Sequence, residues 1–180
     1  VEKLKAAGIG IVMGTPTAVP PIWLTKKYPD MLAEYKSGRV MQHSGRRHAC
    51  SNHPEYLKYC ARIVEKMAME FGKDDAIIGW QIDNEIYLLN NEGCFCKNCA
   101  EKYHMHLKNK FGTVEEMNRR LNLNLFSQEY DSFDDVPLPR DTWENPHLKQ
   151  EFLICSGQAH IDFVAMQAKI LKKYTNAPIG

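Results

Sequence analysis

The run Ala76-Ile77-Ile78-Gly79-Trp80-Gln81-Ile82 constrains the fold more than any other stretch of the chain. It is apolar, β-branched and aromatic, too short for a helix, and bounded by Lys73-Asp74-Asp75 on one side and Asp83-Asn84-Glu85 on the other. Such a run reads as a strand buried on both faces, which suits a parallel sheet or a barrel. A second strand is expected at residues 9–13, Ile9-Gly10-Ile11-Val12-Met13. Between the two, residues 54–71 place Leu57, Cys60, Ala61, Val64, Met67, Ala68 and Phe71 at helical spacing, with Pro54 in the first turn and Gly72 as the stop. The expected class is therefore α/β.

The rest of the chain follows the same logic. Residues 1–8 read as the last turns of a helix that Gly8 ends, and residues 98–111 as a helix that stops at Gly112. Thr113-Val114-Glu115-Glu116 has the form of a capping box. A last helix is expected from Pro146 or His147 to Tyr174, buried through Phe152, Cys155, Ala159, Phe163, Met166 and Ile170, and residues 176–180 look like the approach to another strand. The segment 15–52 is too long for an ordinary connection, which makes it a candidate wall for a site, stiffened by Pro16, Pro20 and Pro21. Trp23 within it either lines a cleft or packs under its own loop. Residues 125–146 are aromatic, acidic and proline-bearing without periodicity, and read as a second long loop.

Two constellations carry chemistry. Glu85 falls just past the carboxyl end of the expected strand, where active sites of parallel folds gather. A carboxyl group there can give a proton to a leaving oxygen and later take one from water, and Asn84 beside it can hydrogen-bond a substrate hydroxyl. The dipeptide alone is weak, because a solvated Asn-Glu in a loop is common. The second constellation is Cys94-Phe95-Cys96-Lys97-Asn98-Cys99, whose thiols are too close in sequence to pair comfortably as disulfides and suit a tetrahedral metal instead. Cys60 and Cys155 sit on apolar helix stripes and read as ordinary buried thiols. Cys50, in a polar loop, is the best fourth ligand, with His48 and His53 as competitors. Four thiolates leave no open position, so the expected metal is a structural zinc. A Cys-x-x-Cys redox pair or an iron–sulfur centre explains the extra Cys94 less well.

Composition narrows the partners. Charged residues make up 25% of the 180 and the net charge is +1, with Lys26-Lys27, Arg46-Arg47, Arg119-Arg120 and Lys172-Lys173 as scattered pairs. No electrostatic case arises for nucleic acid or an anionic membrane. No apolar run approaches a membrane span. Thiolate ligands favour a reducing compartment, so cytoplasm is expected.

At these same residues the chain resembles a known family. Gly-Thr-Pro-Thr-Ala-x-Pro-Pro-x-Trp-Leu from Gly14 to Leu24, then Gly45-Arg46-Arg47-His48-x-Cys50, the Gly79 to Glu85 stretch, the trio Cys94, Cys96 and Cys99, and Phe126-Ser127-Gln128-x-Tyr130 follow the order seen in glycoside hydrolase family 42 β-galactosidases. The resemblance implies a (β/α)8 TIM barrel, of which this chain holds about the third and fourth βα units with long loops. It implies Glu85 as acid/base, Asn84 as a substrate contact, and zinc on Cys50, Cys94, Cys96 and Cys99 stapling a loop. It also implies a β-galactoside or oligosaccharide substrate and a parent enzyme that is often a homotrimer. The chain departs from the pattern at Ile86-Tyr87, where the family reads Tyr-Gly, and at Phe126, where the family commonly has the Trp that walls the sugar site.

A whole barrel takes about 250 residues. The chain is thus expected to be an internal segment of one catalytic domain, lacking the strand that bears the nucleophile. A retaining glycosidase needs that nucleophile about 5–5.5 Å from the acid/base, so the segment alone is expected to be inactive. Two alternatives stand beside a retaining β-galactosidase. One is a non-catalytic zinc-stabilised module that binds a sugar or a protein, with Glu85 a structural carboxylate. The other is a barrel glycosidase that prefers β-glucosides or α-L-arabinosides.

Overall fold

The computed structural model describes residues 1–43, 45–86, 92–141 and 145–180. Ser44 and Tyr87, and residues 142–144 of the long aromatic loop, lie outside the described residues. The chain is α/β: α1 (Glu2–Ala6), β1 (Ile11–Gly14), α2 (Ile22–Lys27), α3 (Pro54–Phe71), β2 (Ile77–Gln81), α4 (Lys97–Phe111), α5 (Val114–Arg120) and α6 (Pro146–Leu171). It divides into two compact units, one of Val1–Met31, His43–Ile86 and His160–Gly180, the other of the described residues of Leu32–Gln42 and Tyr87–Ala159.

In the first unit β1 pairs in parallel with β2, Ile11 opposite Ile77 and Gly14 opposite Gln81, with a register shift after Ile11. Residues 178–180 extend the sheet on the other side of β2. The Trp80 N–H donates to the Pro178 carbonyl at 2.8 Å, the Gly180 N–H to the Trp80 carbonyl at 2.9 Å, and the Ile82 N–H to the Gly180 carbonyl at 2.7 Å. This bridge is parallel too, so the expected strand approach at 176–180 is present. α1 ends in a Schellman motif, with the Ile9 N–H on Leu4 and the Gly8 N–H on Lys5, because Gly8 takes the left-handed φ of 67° that closes it.

One face of the sheet is covered. Ile77 and Trp80 pack with Val64 and Ala68 of α3 and Leu171 of α6, while Leu24, Met31, Tyr56, Cys60 and Phe163 form an adjoining core. Among the described residues nothing covers the other face: Val12 is 60% and Ile78 57% exposed. The expectation of strands buried on both faces is thus corrected, because α3 and α6 lie on one side only and the pleat sends alternate side chains to the other.

α3 begins and ends where its periodicity places it, with the His53 ring accepting from the Tyr56 N–H at 3.4 Å as the N-cap. Gly72 stops it for a reason the pattern does not contain. Its φ of −63° is ordinary, but a Cβ there would lie 2.4 Å from the Ala68 carbonyl oxygen and 2.7 Å from that of Tyr174. The glycine is needed for close approach of backbone.

In the second unit Tyr103, Leu107 and Phe111 of α4 pack with Met117 of α5, Phe152 of α6 and Val136. Half of the expected capping box forms: the Thr113 hydroxyl accepts from the Glu116 N–H at 3.2 Å, but the Glu116 carboxylate turns to Arg119. The long loop is ordered in part by this core, through Tyr130, Phe133 and Leu138. Glu151 of α6 is buried and accepts from His106 and Lys110 of α4. Burial works against its charge, yet Lys110 and His106 outweigh that and hold its carboxyl below the usual range.

Two outcomes follow from this packing. Gly72→Ala should destabilise the chain by roughly 1–3 kcal/mol, read as a lowered denaturation midpoint with unchanged slope. A depressed carboxyl contributes stability above its unfolded value, about 4.3 for Glu, that is lost as pH falls through the folded one. Glu151→Gln should therefore flatten the acid limb of stability below about pH 5, and an unchanged limb would show that the pair contributes nothing.

Candidate active site

The residues after β2 leave the sheet in an unusual backbone. Asp83 has φ 58° and Glu85 φ 46°, with Asn84 between them. Left-handed conformation costs a non-glycine residue on the order of 1–2 kcal/mol and persists where surrounding contacts impose it.

Those contacts converge on Asp83. Its side chain is fully buried, and its carboxylate accepts from the Thr17 hydroxyl at 2.6 Å, from Arg47 and from the N–H of Asn84. Its own N–H donates to the Thr15 hydroxyl at 2.7 Å. The Thr15 hydroxyl in turn donates to Gln167 of α6 at 2.7 Å. The Tyr56 hydroxyl donates to the Thr17 carbonyl at 2.6 Å and ties the start of the 15–52 segment to α3. Burial, with Cys60 and Asp83 adding to it, pushes the Tyr56 phenol well above its ordinary value, so it stays a donor. Arg47, from the far end of that segment, also donates to the carbonyl of Asn84. Removing one partner of a buried pair of this kind costs about 3–5 kcal/mol.

Glu85 is the opposite case. Its side chain is 68% exposed and, among the described residues, pairs with Arg46 alone, itself half-exposed. An exposed pair is worth about 0–1 kcal/mol and breaks readily. Asn84 is half-buried, and its side-chain oxygen accepts from Gln81 at 3.4 Å. Asn84 and Glu85 therefore stand together past the carboxyl end of β2, as expected. Phe126 is 84% exposed, and both it and Ser127 are left-handed. Trp23 is half-exposed, meets Tyr59 edge-on at 5.5 Å and lines a cavity of about 420 Å³ with Pro16, Val19, Tyr59 and Ile63.

The Sγ atoms of Cys50, Cys94, Cys96 and Cys99 lie within 4.8 Å of one another, a set that could bind a metal ion. None of the six cysteines is disulfide-bonded. His48 and His53, the competitors for the fourth ligand position, are both buried. His53 is committed to capping α3 and to Asp30 at 3.3 Å. Cys60 is an inert buried thiol, pushed up to about 12 by burial.

Sequence reasoning missed Arg46, Arg47, Asp83, Thr15, Thr17 and Gln167. Arg46-Arg47 reads as one more scattered basic pair, and only its distance in space from residues 83–85 reveals its role. The available signal was weak: two arginines after Gly45 in a segment too long to be idle.

Across the whole chain the match to known proteins is consistent. The family model described as beta-galactosidase, for glycoside hydrolase family 42, matches residues 1–180. The chain belongs to this family of glycoside hydrolases. It is 34% identical over 181 residues to the β-galactosidase YesZ of Bacillus licheniformis, covering 99% of this chain and 27% of that protein. It is 36% identical over 177 residues to a β-galactosidase of Thermus thermophilus, covering 97% of this chain and 27% of that protein. Among solved structures, the β-galactosidase from the psychrophilic Marinomonas ef1 superposes with a TM-score of 0.94 at 32% identity, covering 99% of this chain and 28% of that one. The chain thus spans about a quarter of the length of the relatives it matches.

Proposed function

We propose that this chain carries the acid/base half of the active site of a retaining β-galactosidase, with Glu85 as the acid/base. The observation that carries this reading is the contrast between two neighbouring carboxylates. Asp83 is buried and wholly engaged, whereas Glu85 is presented outward past a parallel strand, 68% exposed and paired with the half-exposed Arg46. A structural role for Glu85, as in a non-catalytic sugar- or protein-binding module, would require the contacts that Asp83 has taken.

In this mechanism Glu85 gives its proton to the glycosidic oxygen while a carboxylate outside this chain attacks the anomeric carbon. The deprotonated Glu85 then takes a proton from water, which hydrolyses the glycosyl-enzyme and restores the acid. The exposed Arg46 pair must open before the acid step. Asn84 is placed to bond a sugar hydroxyl, and Phe126 offers an open ring face for stacking. The parallel flanking of β2 and the uncovered apolar face at Val12 and Ile78 suit a (β/α)8 barrel, whose interior is filled by inward side chains of all its strands. We read β1 and β2 as its third and fourth strands.

The donor set fits zinc. Four thiolates around zinc at about 2.3 Å stand roughly 3.8 Å apart, compatible with sulfurs already within 4.8 Å of one another. The Asn52 and Glu34 N–H groups, each 3.4 Å from a sulfur, point at Cys50 and Cys94 as they would at thiolates. Zinc would close a structural site here, and the thiolates suit a reducing compartment such as cytoplasm.

In the full-length protein, Glu85→Ala should still be glycosylated by an activated aryl β-galactoside but stall at deglycosylation. Azide should restore turnover and yield β-galactosyl azide. Full activity without azide would place the acid/base elsewhere, and a wild-type protein inert on β-galactosides but active on β-glucosides or α-L-arabinosides would move the specificity. Complete chelation should lower the melting temperature by roughly 5–10 °C. An unchanged melt after verified metal loss would end the structural-zinc reading.

A further inference from the structure

We propose that Arg47 and Asp83, with Thr17 behind them, are positioning residues that aim the Glu85 carboxyl; this rests on Glu85 being the acid/base. Neither residue is offered to a substrate. The Asp83 side chain has no exposed surface and that of Arg47 is 9% exposed. What they hold is the backbone that carries Asn84 and Glu85. The peptide before Asn84 is pinned by its N–H on the Asp83 carboxylate, and the peptide before Glu85 by its carbonyl on the Arg47 guanidinium. The same guanidinium nitrogen, Nη2, also bonds the Asp83 carboxylate, so one donor atom ties the Asn84 carbonyl to a buried anion. Thr17 completes the cradle at 2.6 Å from the other carboxylate oxygen.

Aim matters because, among the described residues, Glu85 has no other rigid support. Its side chain reaches Arg46 alone among the described residues, and its φ of 46° lies where an unrestrained glutamate would not stay. An acid must come within about 2.6–3.2 Å of the oxygen it protonates, and a misplacement near 1 Å can cost about 10²-fold. The adjacent arginines thus divide the work: Arg46 meets the carboxylate itself, and Arg47 meets the peptide that presents it.

The test uses the full-length protein and a series of aryl β-galactosides running from good to poor leaving groups. Poor leaving groups need the acid and good ones need it little. Arg47→Lys keeps the charge but its shorter side chain does not reach the position of Nη2, and should lower kcat/KM about 30–100-fold for the poorest leaving group and less than about fivefold for the best. Thr17→Val should steepen the same dependence about five- to tenfold, and Thr17→Ser should restore it; this pair carries the test if the arginine variant does not fold. Equal losses across the series, or Thr17→Ser no better than Thr17→Val, would overturn the proposal and leave the network a purely structural one. Glu85→Ala in the same series separates the two claims. If it neither steepens the dependence nor responds to azide, the acid/base reading fails and this one with it. If it does both while Arg47→Lys and Thr17→Val match wild type, the positioning role alone is lost.

Discussion

The structure around the candidate site depends on β2 being hydrogen-bonded on both sides. β1 takes one edge and residues 178–180 the other, and Ile82 still donates to Gly180 past the end of the strand proper. A strand held in this way cannot shift register without breaking two ladders, so the point at which the chain leaves the sheet is fixed. Everything polar after Ile82 must then satisfy itself within a few residues of a buried edge. Left-handed Asp83 and Glu85 are the backbone's solution, and the buried cradle of Thr15, Thr17 and Arg47 is what makes that solution stable.

Two carboxylates two residues apart have been given different environments, and this separation is a general way to divide labour in an active site. Asp83 is enclosed among donors and offers no lone pair to solvent. Glu85 is left in the open beside a cation it can release. Burying both would have demanded a second compensating network, and exposing both would have left the strained turn to be held by contacts worth very little.

The elements that follow periodicity were legible in the sequence. α3 runs from Pro54 to Phe71 as its apolar stripe requires, Gly8 and Gly112 are left-handed where a helix must stop, and the cysteine trio with Cys50 is drawn together. What escaped was non-local. Whether a strand is covered on one face or two depends on what packs there, and Ile78 has the same sequence signature either way. Gly72 stands where the helix was expected to stop, but its need is space beside Tyr174, which no pattern along the chain displays. The Thr113 box closed only halfway because Arg119, three residues on from Glu116, offers a charged partner. The segment 15–52, read as a candidate site wall, carries α2 and further local structure of its own that the sequence reading did not assign.

That segment also explains why the site needs a long excursion. Its first residues supply Thr15 and Thr17, its last supply Arg46 and Arg47, and the two ends are pinched by the Arg47 N–H donating to the Ala18 carbonyl at 2.9 Å. Closing a loop costs entropy that rises only slowly with length, about 0.6 kcal/mol for each doubling. A short connection would save little of that and could not bring hydroxyls from one end and guanidinium groups from the other onto the same three residues. The length of the excursion is therefore set by the need to approach residues 83–85 from two directions at once, with the hydroxyls and Arg47 inside and Arg46 at the rim.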